Sequence, residues 1–240
     1  MKNYPKILIV SDFFFNENSG GGILFRNLFY NFPNKKIFII HRDLSAKDNK
    51  DYINICIKKE NIILSFLRNN LNPIIKNLLV TLKNYFLRFK KKKIENSILT
   101  KINEFKPDLI YTILGDYSLM CQLKEIHQKT KIPILLHIMD NFLANFENEK
   151  DKRYQLFKYF IFSSKNRLAI NSEMAKDYKE KFDLPFSVIH NGISRNKIKK
   201  INVKKDIKTI LYIGSVYKEA QLDSLVDVSN TIKNINLPNK

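Results

Sequence analysis

The chain has 240 residues, 44% of them hydrophobic, enough for one large domain or one domain and part of another. No stretch reaches about 18 unbroken apolar residues, so no transmembrane helix is expected. The amino end, one Lys before a short apolar strand, does not have the form of a signal peptide. The formal charge of +19 suits nucleic acid, anionic lipid or phosphorylated substrates, but a composition rich in Lys, Ile and Asn throughout produces the same excess without any partner.

In chain order, the predicted strands are Ile7–Val10, Lys36–Ile40, Ile53–Ile57, Leu109–Leu114, Ile134–Ile138, Leu168–Asn171, Ser187–His190 and Thr209–Ile213. Several are continuous Ile/Leu/Val runs, the pattern of strands buried on both faces of a parallel sheet. Helical patterns lie between most of them, at Gly22–Phe32, Ile94–Phe105, Tyr117–Lys129, Lys152–Ser163, Ser172–Phe182 and Glu219–Lys233. This alternation predicts an α/β fold with a doubly wound parallel sheet and right-handed crossovers. The polar, basic stretch Asn191–Asp206 opens on an Asn-Gly turn and reads as a connection. The expected organisation is a domain over residues 1–195, a linker over 196–206 and the start of an incomplete second domain over 207–240. One β-α unit cannot cover both faces of its strand. The expectation is that the chain is truncated, or that this unit docks on the first domain or on a partner.

Ligands of open α/β sheets bind beyond the carboxyl ends of the strands. The side chains expected there include Asp116, His137, Asp140, Asn171 and Glu173, and the loop from Ser11 to Gly22. Gly20, Gly21 and Gly22 open a helix, where backbone N–H groups and the helix dipole can meet phosphate. A flexible loop before a helix explains the same residues. The spacing fits a dinucleotide fingerprint poorly, since Phe25 stands where its third glycine belongs, although Asp43 follows the second strand as such a fold requires. His137 and Asp140 could contact a sugar hydroxyl and orient or deprotonate it. The alternative is a His buried in its strand and an Asp capping the next helix. Cys56 and Cys121 are far apart, which suggests neither a zinc site nor a disulfide framework and fits a reducing cytoplasm. No metal motif is present.

Four stretches together resemble a two-domain GT-B glycosyltransferase of the bacterial nucleotide-sugar-dependent, family 4-like group. They are Ile7–Gly22, Leu136–Phe142 with its His and Asp, Asn171–Tyr178 followed by Ser187–Ile193, and Leu211–Ser215 followed by Leu222–Leu225. The resemblance implies a Rossmann-like acceptor-side domain plus the first β-α unit of a Rossmann-like donor domain. It implies that Gly21 and Gly22 lie against the donor diphosphate and that Gly214, Ser215 and Lys218 meet the phosphates from the other side. His137 would sit by the transferred sugar. The leaving group would be stabilised by fixed dipoles and cations, with no metal and no cofactor beyond the nucleotide-sugar substrate. The acceptor would be a glycan or a lipid-linked glycan. The acidic Glu-x7-Glu pair of that family is absent, and Ser215 stands where Arg is common, so weak or no transfer by this chain alone is expected.

Residues 66–89 form an apolar periodic stretch with Leu67, Leu71, Ile74, Leu78, Leu82, Phe86 and Phe89 at steps of three or four, followed by the run Lys90 to Lys93. The pattern suits peripheral attachment to an anionic inner membrane face, and equally a helix packed on the sheet with a solvated basic end. No basic stripe interleaved with aromatics marks a nucleic-acid module. Three classes remain open: a glycosyltransferase of cell-surface polysaccharide synthesis, another GT-B enzyme such as a nucleotide-sugar epimerase, and a non-catalytic remnant or subunit that binds a membrane or a partner.

Overall fold

The computed structural model describes residues 4–17, 19–46, 48–57, 94–145, 151–190, 210–212 and 222–234. The chain separates into two compact units, Met1–Lys197 and Ile198–Lys240.

The first unit is built on seven strands: β1 (Ile7–Val10), β2 (Ile37–His41), β3 (Ile53–Cys56), β4 (Leu109–Ile113), β5 (Ile134–Ile138), β6 (Ser164–Ala169) and β7 (Ser187–Val188). They pair in the order β3-β2-β1-β4-β5-β6-β7. Every pairing is parallel, with Ile7 opposite both Ile37 and Leu109 at the centre. The sheet is therefore the Rossmann-like α/β arrangement the sequence predicts. The central runs Ile-Leu-Ile-Val and Ile-Phe-Ile-Ile are buried along their whole length because both faces are covered.

Alternation along each strand divides the core in two. Leu8, Val10, Phe38, Ile40, Ile110, Ile134 and Leu136 face one side. There they meet α2 (Asn96–Phe105), α3 (Tyr117–Thr130), α4 (Lys152–Ser163) and α5 (Ser172–Phe182). Ile7, Ile9, Ile37, Ile39, Tyr111 and Ile113 face the other side and pack with Leu24 and Phe25 of α1 (Gly20–Leu28). The chain thus leaves β1 through α1 toward β2 and β3, and later returns to place β4 on the far side of β1. The carboxyl ends of β1 and β4 are the point where strand order reverses, the usual place of a ligand crevice in such sheets.

Capping fixes where the helices begin. Ser19, Asp116, Asp151 and Asn171 accept hydrogen bonds from the backbone N–H of Gly22, Ser118, Arg153 and Met174, at 3.1, 2.8, 2.7 and 2.7 Å. Three helices end on non-glycine residues in the left-handed region: Lys106, Lys131 and Asp183, with φ of 55°, 59° and 52°.

Several boundaries move from their expected places. α1 starts at Gly20, just after its Ser19 cap and two residues early, and stops at Leu28. β6 starts at Ser164 rather than Leu168. Its first half is polar, but Arg167 bends back to donate to the carbonyls of Ile161 and Ser164, closing the end of α4 onto the strand. β7 is only two residues long. In the second unit, residues 210–212 carry no strand, while α6 (Leu222–Asn234) covers most of its expected span. Among the described residues, no helix is long and apolar enough to cross a membrane. Residues 66–93 lie outside the described residues.

Two stability effects are expected from this architecture. Lys106→Gly and Lys131→Gly should each raise the urea midpoint. Relief of the left-handed penalty of about 1–2 kcal/mol outweighs the added unfolded-state entropy of about 0.4–1 kcal/mol. Phe157→Ala, a fully buried ring stacked on Phe142 at 4.9 Å, should cost about 3–5 kcal/mol in the same assay.

Candidate functional site

The loops after β1, β2 and β4 converge at the point of reversal. Ser11 continues the β1 pairing, its N–H donating to Ile40 O at 3.1 Å, and its hydroxyl accepts from the N–H of Phe13 to turn the chain. Phe14 then anchors the loop in the core, with its ring 4.7 Å from that of His41. This turn presents Asp12. Its Oδ2 accepts the N–H of Asp116 at 2.7 Å. Gly115 makes that approach feasible: a Cβ there would fall on the Asp12 carboxylate.

Arg42, just beyond β2, completes the group. Its Nη1 donates to Asp116 Oδ1 at 2.5 Å and its Nη2 to Ser118 Oγ at 2.8 Å. Its Nε lies 4.0 Å from Asp12 Oδ1, too far for a hydrogen bond, and neither atom has another partner. The Arg42 side chain is only 4% exposed, against 25% for Asp12 and 41% for Asp116. A buried guanidinium is thus hydrogen-bonded by one carboxylate, Asp116, and faced at 4.0 Å by a second, Asp12, and both carboxylates remain partly open to solvent. Chemically, the crevice offers fixed hydrogen-bond acceptors on a rigid base.

The glycine run is built differently from a bare phosphate loop. Asp43 accepts from Asn16 Nδ2 at 2.9 Å, Asn16 Oδ1 accepts from the Ser19 hydroxyl at 2.9 Å, and Ser19 caps Gly22. Burial raises the Asp43 pKa, but hydrogen bonds from Ser45 and Asn16 outweigh it and hold the carboxyl below its usual range. A Cβ on Gly21 would enter the Phe13 ring, and one on Gly22 would strike Asn16. These two glycines admit the protein's own loop. Gly20 is exposed, with open space around it.

The structure does not bring the other expected residues together. His137 is 1% exposed, on the α1 side of the sheet, with Nδ1 2.6 Å from the Tyr111 hydroxyl and Nε2 buried without a partner. Burial pushes its imidazole down to about 4. Asp140 is exposed beyond the strand end, and its charge helps raise the hydroxyl pKa of Tyr178, which packs on the opposite side of the sheet. Asn171 is engaged as the α5 cap, and Glu173 lies exposed in that helix's first turn. Gly214, Ser215 and Lys218 lie outside the described residues. A recess of about 520 Å³ opens near the amino ends of β1–β3, and of its lysines Lys6 donates to Phe105 O at 2.9 Å. Among the described residues, no group of three or more His, Cys, Asp or Glu is placed to hold a metal ion. No protein-family model and no curated protein matches this chain.

Arg42 is the site residue that sequence reading missed, and Asp12 falls within the expected loop Ser11–Gly22 without being singled out there. Their signal was a charged residue within two positions of the end of a strand, Asp12 after Ser11 and Arg42 after His41, where the chain leaves the sheet.

Gly115→Ala should destabilise the protein by about 1–3 kcal/mol, and most of that loss should disappear in an Asp12→Ala background if the collision is with this carboxylate. A double-mutant cycle by urea denaturation measures it. A second outcome concerns pH. A His lowered by burial binds fewer protons folded than unfolded, so its contribution is complete above the unfolded value of 6.5. It is lost as pH falls toward about 4. His41 and His127 are also lowered, first by burial, and act in the same direction. Stability should fall across that window, on the order of 3 kcal/mol from His137 alone. His137→Gln should flatten the profile.

Proposed function

We propose that this chain supplies the acceptor-side domain of a nucleotide-sugar-dependent glycosyltransferase of the GT-B kind. Its acceptor is a glycan or lipid-linked glycan of cell-surface polysaccharide synthesis. The observation that carries this reading is the pair of partly exposed carboxylates, Asp12 and Asp116, gathered around a buried Arg42 at the point of strand reversal. Carboxylates accept hydrogen bonds from hydroxyls, and fixing them beyond the ends of β1 and β4 orients a sugar hydroxyl without reorganisation. Three stretches that resemble the family, Ile7–Gly22, Leu136–Phe142 and Asn171–Tyr178, leave the carboxyl ends of β1, β5 and β6 at this sheet edge. On this reading His137, buried and bonded to Tyr111, supports the end of β5 from beneath. The donor phosphates fall to the Gly214, Ser215 and Lys218 segment.

The test is calorimetric titration of the purified chain with methyl glycosides and with short lipid-linked glycans. Binding of at least one is expected, with Asp116→Asn weakening it about 10- to 100-fold, the value of a hydrogen bond to a charged group. Absence of binding to every glycoside and lipid-linked glycan would overturn the reading.

The same reading places the protein on the inner face of a membrane, through the run Lys90 to Lys93. Each lysine near an anionic surface contributes about 1 kcal/mol. Replacing all four with Gln should release the chain from anionic vesicles, as should added salt. Equal co-sedimentation with neutral and anionic vesicles would defeat the membrane assignment.

A further inference from the structure

The amino end of α3 and the Arg42 guanidinium together have the form of an anion seat. A helix of 14 residues begins there, its Ser118 N–H capped by Asp116 and the Asp116 N–H donated to Asp12, beside a permanent cation. The seat is already filled. Asp12 Oδ2 takes the Asp116 N–H at 2.7 Å, in space left by the missing Cβ of Gly115. Its Oδ1 turns toward Arg42 Nε at 4.0 Å. Nε is buried and makes no hydrogen bond among the described residues, so this cation, 4% exposed, retains one N–H that none of them claims.

We propose that Asp12 is the specificity determinant of this crevice: its carboxylate occupies the seat of an anion, so that the crevice excludes phosphate and receives an uncharged, hydroxyl-bearing group. The proposal rests on the crevice being the ligand site of the transferase. It assigns phosphate recognition elsewhere and gives the acceptor's reacting end a chemical class, a neutral sugar hydroxyl. A phosphate is an anion, and it would meet two carboxylates at close range. A hydroxyl donates to them.

Removing the charge should uncover the seat. The experiment titrates inorganic pyrophosphate, and separately inorganic phosphate, into the full chain, Asp12→Ala and Asp12→Asn. Ionic strength is held fixed, and folding is checked by circular dichroism. All three proteins carry the same surface lysines, so the difference reports the crevice. Both variants should bind pyrophosphate about tenfold or more tightly than the unaltered chain. Arg42→Lys added to Asp12→Asn should remove that gain, because an ammonium replaces the fork. Asp12→Asn keeps a carbonyl oxygen for the Asp116 N–H but no charge, so an anion can displace its neutral amide from the seat, and it remains decisive should Asp12→Ala fail to fold. Equal pyrophosphate affinity in the folded Asp12→Asn and the unaltered chain would overturn the proposal. So would tight pyrophosphate binding by the unaltered chain that Arg42→Lys abolishes. Glycoside binding is a separate readout: its absence with the pyrophosphate gain intact would sink the transferase reading and leave the role of Asp12 standing.

Discussion

A guanidinium buried at the end of β2 constrains everything around it. Arg cannot shed its proton, and taking such a charge out of water costs several kcal/mol unless partners replace the lost hydration. The partners for Arg42 come from far along the chain: Asp116 is 74 residues away in sequence and Ser118 is 76. Meeting that requirement fixes where β4 ends, where α3 begins, and how the loop after β1 turns. The ion group does not follow from the sheet geometry alone. It joins three strand ends that the sheet merely brings near one another.

The glycines follow from the same crowding. Gly115 gives room to the Asp12 carboxylate, and Gly21 and Gly22 give room to Phe13 and Asn16 of the β1 loop. In each case the neighbour that enters the vacated space is protein. A glycine-rich loop is therefore compatible with two opposite uses of the missing Cβ, admitting a ligand or admitting another loop. Only the neighbouring atoms decide between them. Here the loop from Ser11 to Ser19 is held by Phe14 in the core and by the Asp43–Asn16–Ser19 chain of hydrogen bonds. That makes it a rigid wall of the crevice.

The sheet was legible in the sequence because burial writes itself locally. Continuous Ile/Leu/Val runs such as those of β1, β2 and β5 have few alternatives to a strand covered on both faces. Legibility failed where a long-range contact overruled local composition. The polar start of β6 pairs with β5 because Arg167 caps the carbonyls at the end of α4, a contact no window of β6 reveals. The site shows the same division. Asp116 was visible as a polar residue between a strand and a helix. Asp12 and Arg42 gain their meaning only from each other and from Asp116. His137 illustrates the converse: its place near a strand end made it a candidate, but alternation along β5 turned it inward, to Tyr111.

The charge of the whole chain and the charge of the crevice have opposite signs, and the difference has a physical reason. A net +19 acts over the Debye length, roughly 8–10 Å in physiological salt, and so draws anionic surfaces and phosphorylated molecules to the protein as a body. What happens at the point of strand reversal is decided within hydrogen-bonding distance. There the cation is buried beneath two carboxylates, and it is the carboxylates that face solvent. On the proposed reading, the long-range field would gather a lipid-phosphate-linked glycan, while the short-range geometry would refuse its phosphate and accept its hydroxyl. A substrate with a charged anchor at one end and a neutral sugar at the other is the kind of molecule that satisfies both fields at once.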